Sequence, residues 1–306
     1  MFLKIWIILF LCFSLSTFAQ EEVNFVDKYQ SYLSSQLLGI SNSVDYFFGG
    51  IRMDDEANGS VFRINHTTSL VDDEKMESKL AFRLRLELPG TQKRFKLIFD
   101  DGETSAQGAR QGQSVTKQAT GSSGTNAAIR FLVQKKKDWN VQLDTGLKIR
   151  LSEPLNPFTR LRGRKSWFSG HWQIRGVQEF YYYIRTKGES RTTLDFDYPF
   201  KNGLLFRYGN NLIWTDVNDF FNFSTGPTLY QKISDKRAIN YNIKAIGDTS
   251  IESTFTSYDF FLTYRQLLHK NWLFVEVTPG IQLPKIKDFQ TTPFIVIQFQ
   301  AFFGNF

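Results

Sequence analysis

The sequence predicts an all-β fold: a transmembrane antiparallel β-barrel of about 14 strands, with 12 as the alternative count, preceded by a short N-terminal helical segment. Three observations predict it. From about residue 60 to Phe306 the chain runs in segments of about ten residues that alternate between apolar and polar side chains. Its first residues read as an export signal. Between the alternating segments, short and longer connections take turns, as in a chain threaded back and forth through a bilayer.

The N-terminus sets the address. Lys4 precedes the apolar run Ile5-Trp6-Ile7-Ile8-Leu9-Phe10-Leu11, and small residues stand at Thr17 and Ala19. A basic start, an apolar stretch and an A-x-A-like site predict a signal peptide over 1–19, cleaved after Ala19. The single cysteine, Cys12, lies inside it, and Leu11 before it is not the small residue of a lipidation signal. The mature chain is therefore expected to have no disulfide and no thiol chemistry.

Residues 20–59 form a predicted periplasmic extension. Phe25, Tyr29, Tyr32, Leu33 and Leu37 recur at helical spacing and Gly39 ends the run, which fits an amphipathic helix or a plug at a barrel mouth. A partly ordered leader with no separate task fits as well. Asp54, Asp55, Glu56, Asn58 and Gly59 then mark a turn into the barrel region, 60–306.

The strands follow in order. The first, 60–70, is the weakest: Val61, Arg63 and Asn65 oppose Phe62, Ile64 and His66. In 78–88, Leu80, Phe82, Leu84, Leu86 and Leu88 alternate with Ala81, Arg83, Arg85 and Glu87, and 94–100 carries Phe95, Leu97 and Phe99. After 126–135 comes the sharpest segment, 139–151, where every odd position is apolar or Thr and every even one is polar, charged or Gly. Successive side chains of a strand point to opposite faces, so this segment has one oily and one wet face. The remaining strands are 158–168, 171–185, 190–199, 203–214, 220–232, 237–247, 255–267, 271–282 and 292–304.

The connections test the count. With Phe306 on the periplasmic side, the turns 89–93, 136–138, 169–170, 200–202, 233–236 and 268–270 are periplasmic, and all are short. The opposite set includes 101–125, rich in Gly, Ser and Gln and expected to be a solvated surface loop. Trp139, Trp167, Trp172, Trp214 and Trp272 all fall at predicted strand ends, where indole rings form an interfacial girdle.

Taken together, the signal, the alternating strands, the short-then-long connections and the ending Phe302-Phe303-Gly304-Asn305-Phe306 resemble Gram-negative outer-membrane β-barrel proteins over residues 60–306. The resemblance implies residence in the cell outer membrane, contact with its lipid and lipopolysaccharide, and recognition of Phe306 as an assembly signal by the barrel assembly machinery. Counting back from Phe306, the apolar phase holds at Phe302 but breaks at Gln300 and Gln298, while Phe303, Ala301, Phe299, Ile297 and Ile295 carry the other phase. A bulge near Phe302-Phe303 is expected to reconcile the two.

With the oily residues facing lipid, the wet set faces a lumen. Its densest basic stretch is Lys148, Arg150, Arg160, Arg162 and Arg164, joined by Arg175, with Glu179, Asp195 and Asp197 on following strands as counter-charges. Such a wall in water attracts anionic solutes; alternatively it knits a charged network that plugs a narrow barrel. The leading expectation is a monomeric passive pore for small solutes with a mild anion leaning. A closed structural barrel, meeting partners or lipopolysaccharide through its surface loops, is the alternative. A lipid-modifying enzyme is third, since the chain has three histidines and only His66 is a catalytic candidate. No spacing suggests a metal site or cofactor, and the net charge of +7 comes without a basic cluster that reads nucleic acid.

Overall fold

The computed structural model describes residues 47, 60–72, 74–88, 94–100, 115–116, 125–135, 139–150, 153–200, 203–250 and 254–304. The export signal, the helical stretch from Phe25 to Leu37, most of 101–125 and Phe306 lie outside the described residues. Fourteen antiparallel strands close on themselves, each paired with its sequence neighbours and the first with the last. They are β1 (Val61–Val71), β2 (Glu77–Glu87), β3 (Phe95–Asp100), β4 (Thr125–Lys135), β5 (Trp139–Arg150), β6 (Glu153–Ser169), β7 (Trp172–Tyr183), β8 (Lys187–Pro199), β9 (Leu204–Thr215), β10 (Phe221–Ser234), β11 (Arg237–Asp248), β12 (Thr254–His269), β13 (Leu273–Pro284) and β14 (Thr292–Gly304). The count of 14 stands and 12 does not. Closure satisfies every edge strand, which is what a sheet surrounded by hydrocarbon requires.

Val61 pairs with Gly304, so both termini of the barrel lie at one end, called here the near end. The alternating pattern becomes two surfaces. Leu80, Ile129, Leu143, Ile243 and Phe299 stand exposed on the outside, while Asn65, Gln142, Asp144, Arg175, Asp197 and Arg265 are buried on the inside. A bilayer makes this inversion stable, because only the outer face meets acyl chains.

The expected bulge near Phe302 is absent. β14 pairs without a register shift with β1, from Phe294 to Gly304, and with β13, from Thr292 to Ala301. Phe302 simply faces inward, buried at 3%, with Phe274 and Ala238 beside it. Phe303, Ala301, Phe299, Ile297 and Ile295 keep one outward phase throughout β14, and Phe302 is an apolar residue on the inward one. The seam is also tied by side chains: Arg265 Nη2 donates to Gln300 Oε1 at 2.7 Å, and Gln300 Nε2 donates to Asn65 Oδ1 at 3.0 Å.

Candidate functional site

β6 is the longest strand, 17 residues, and it carries Arg160, Arg162 and Arg164 at alternate positions on the inner face. Cross-strand pairing sets Arg160 opposite Asp144 of β5 and Arg162 opposite Glu179 of β7. Arg162 Nε approaches Glu179 Oε1 at 3.0 Å, and Arg160 reaches the same oxygen at 3.5 Å. Arg160 also bonds Asp144 and donates to the Tyr181 hydroxyl at 3.0 Å. Asp144 takes a bidentate grip from Arg130, at 2.9 and 3.1 Å. The wall is thus one continuous chain, Arg130–Asp144–Arg160–Glu179–Arg162, wound across β4 to β7. Like charges two residues apart are tolerable only with carboxylates between them, and each of these carboxylates serves two arginines.

The other acidic residues divide their work. Asp195 lies 3.9 Å from Arg175, and Asp197 accepts two bonds from Arg207, at 2.7 and 3.0 Å. Lys148 and Arg150 sit at the far end. They line a cavity of about 220 Å³ with Asn156, Tyr183, Thr186 and Glu189, and the Lys148 ammonium lies 5.5 Å from the Tyr183 ring centre.

Some inner-face residues escape a reading based on polarity. Phe158, Tyr181 and Tyr183 are buried inward, the two tyrosine rings stacked 5.7 Å apart. Arg191 stands 4.8 Å from the Tyr181 ring. The parity of β7 was the available signal, since Tyr181 and Tyr183 share the phase of Arg175 and Glu179. The unbroken run Tyr181-Tyr182-Tyr183 hides that phase. On the adjoining wall Arg63, Arg83, Arg85 and Arg130 surround a small crevice with Val61 and Ile98.

Two segments outside the strands enter the lumen. Phe47 is buried at 7%, edge-on to Phe274 at 6.0 Å and clustered with Ala238 and Phe302 toward the near end. Val115 and Thr116 belong to the expected surface loop 101–125, yet they lie inside. The Val115 N–H donates to Asp259 Oδ2 at 3.1 Å and the Thr116 hydroxyl to Gln282 Oε1 at 3.3 Å.

His66 does not join the lumen. It stands exposed on the outer face of β1, and its one hydrogen-bond partner among the described residues is Ser78 Oγ at 3.5 Å, so no third group orients the imidazole as a triad requires. His171 lies in the β6–β7 turn and His269 ends β12. Among the described residues, no three His, Cys, Asp or Glu side chains are grouped to hold a metal ion. Trp139 and Trp172 open β5 and β7, Trp167 is two residues from the end of β6, Trp214 is next to last in β9, and Trp272 lies in the β12–β13 turn. Trp172 packs with Tyr198 at 5.1 Å and Phe206 at 6.3 Å on the outer surface of the near end.

No protein-family model matches the chain. No curated protein matches it in sequence. Solved structures do: OprB of Pseudomonas putida, in its high-pH structure, aligns with a TM-score of 0.51 over 84% of this chain and 97% of its own, at 11% identity. The fold is that of an outer-membrane β-barrel. A loop L8 deletion mutant of OmpT, an outer membrane protein of Vibrio cholerae, aligns at TM-score 0.49 and 9% identity over 80% of this chain and 98% of its own. The KdgM porin in complex with disordered oligogalacturonate gives 0.38 and 7% over 78% and 98%. At such identities the likeness speaks for the fold alone.

Proposed function

We propose that this outer-membrane barrel is a passive pore for small solutes with a leaning toward anions. The observation that supports it is the sharing of carboxylates along the inner wall. Asp144 faces both Arg130 and Arg160, and Glu179 faces both Arg160 and Arg162, so along this chain of pairs three arginines share two carboxylates. Lys148, Arg150, Arg164 and Arg175 add to the same wall. A water-filled passage lined by excess positive charge raises the local concentration of anions and lowers their entry barrier.

Single-channel recording of the folded protein in planar bilayers tests the reading. Conductance steps with a reversal potential shifted toward the anion are expected under a salt gradient. Neutralising Arg160, Arg162 and Arg164 together to Gln should move that potential toward cations. Folded protein without conductance steps overturns the pore, and an unchanged reversal potential overturns the selectivity.

A closed barrel is the second reading, favoured by Phe47, Val115 and Thr116 inside the lumen. Its surface loops would then meet partners or lipopolysaccharide, and the recording above separates the two. We assign no catalysis: His66 faces outward, and its one hydrogen-bond partner among the described residues is Ser78.

A further inference from the structure

Apart from the paired hydroxyls of Thr145 and Thr159 and a smaller spot on β1–β2, the outer face is largely apolar except across β7–β10. There Gln178, Ser190, Thr192, Asn210 and Thr225 all point outward. Gln178 is the seventh residue of β7, Thr192 the sixth of β8, Asn210 the seventh of β9 and Thr225 the fifth of β10. They form a level belt near the middle of the strands, where the surrounding medium is acyl chain. Gln178 Nε2 donates to Ser190 Oγ at 3.0 Å, and Thr192 Oγ1 donates to Gln178 Oε1 at 2.7 Å. Thr225 Oγ1 donates to Asn210 Oδ1 at 2.8 Å, and Asn210 Nδ2 to the Leu194 carbonyl at 3.2 Å. These internal bonds lower the cost of holding two amides at mid-depth without abolishing it, because an amide and a hydroxyl keep further lone pairs that hydrocarbon does not satisfy.

Beside the belt the surface lies low. Gly163 of β6 pairs with Gln178, and a Cβ added there would meet nothing within 4 Å. A glycine on an open outer face lets another backbone come close. The smaller outward polar spot, His66 with Thr68 and Ser78, lies across the barrel and carries no amide.

We propose that the β6–β10 face is an interface with a second copy of this chain in the membrane. Three arguments choose that occupant. Amides and hydroxyls both donate and accept, so the belt complements its own copy, while an ionic partner would find no counter-charge on it. A rotation axis along the membrane normal keeps every atom at its own depth, so a level belt meets itself in any such pair. Finally, five strands about 4.8 Å apart over an apolar band about 25 Å tall span about 600 Å² per copy. Together that is at most about 1,200 Å², because the wall curves away at its edges, and it reaches the low end of the range of specific interfaces.

The test uses the full chain in a background lacking Cys12, carrying Asn210→Cys, or Ile297→Cys across the barrel, with a short bis-maleimide added to intact outer membranes. Cross-linked product of twice the monomer mass from Asn210→Cys, with little from Ile297→Cys, is expected. Gln178→Leu with Asn210→Leu should raise the dissociation constant about tenfold in native mass spectrometry from nanodiscs, and Gly163→Leu should weaken pairing while the barrel still folds by heat-modifiability. Equal cross-linking at both positions, monomeric mass for the parent chain, or an unchanged constant in the double variant overturns the proposal, as does a cross-link to a different protein only. Because the readout is mass, the outcome is independent of whether the barrel conducts.

Discussion

Arg162 Nε and Glu179 Oε1 lie 3.0 Å apart, and that oxygen is also the second anchor of Arg160. The guanidinium is buried and the carboxylate nearly so, with side-chain exposures of 5% and 17%. Removing the acid leaves two buried cations without their shared partner. Glu179→Gln should cost about 3 kcal/mol in urea unfolding from lipid vesicles. Combining it with Arg162→Gln should recover part of that loss, and strictly additive costs would show that the two residues do not couple.

Asp144 and Asp235 both pair with cations, and burial separates their consequences. Asp144 is 1% exposed and bonds Arg130 and Arg160, so Asp144→Asn should cost about 4 kcal/mol. Asp235 stands in the turn after β10, 2.8 Å from Lys232 and in open solvent, so Asp235→Asn should leave unfolding unchanged within error. The hydrogen bond and charge of Lys232 hold the Asp235 carboxyl below its ordinary value. A lowered acid stabilises above the unfolded carboxylate value, about 3.9, and loses that contribution as pH falls through its folded value. NMR titration of the turn should therefore show Asp235 protonating below that pH, and Lys232→Ala should bring it back up.

Gly146 and Gly163 lie on neighbouring strands with opposite demands. A Cβ at Gly146 would stand 2.1 Å from the Ala127 carbonyl oxygen, backbone that cannot yield cheaply. Gly146→Val should abolish the heat-modifiable folded band on gels, whereas Gly163→Ala should keep it. A folded Gly146→Val barrel would show that β4 and β5 part more readily than their pairing implies.

Phe47 fills the space between Phe274, Phe302 and Ala238. Phe47→Ala should cost about 3 kcal/mol, and if the barrel conducts, it should raise unitary conductance in planar bilayers. Unchanged conductance would place the narrowest point of the passage elsewhere.

The barrel was legible because a two-residue period survives wherever one face is lipid and the other polar. Even the weak β1 is a strand, its inner face Arg63, Asn65, Thr67 and Ser69 being clear once His66 is accepted as an outward exception. Legibility ends where side chains follow a local need. Phe302, Phe158, Tyr181 and Tyr183 are aromatic yet inward, Phe302 packed with Phe47, Ala238 and Phe274 and the other three on one another, so polarity alone misplaces them. Gln178 and Asn210 are polar yet outward, with no neighbour in sequence to betray it. The basic stretch could be read from parity. Which carboxylate each arginine holds could not, because register across strands is set by turns and bulges outside the alternation.

The bond from Gln300 to Asn65 joins residues 235 positions apart in the chain. Neither partner can find the other until all intervening strands have been laid down, so this contact belongs to the last moments of biogenesis. Loops of that span are entropically slow to close. A sheet still open along β1 and β14 would expose two bare edges to the bilayer, which favours their capture by whatever edge first presents itself. The amide pair at the seam gives the chain's own ends a matching latch, and with it a means of preferring completion over insertion of a foreign strand.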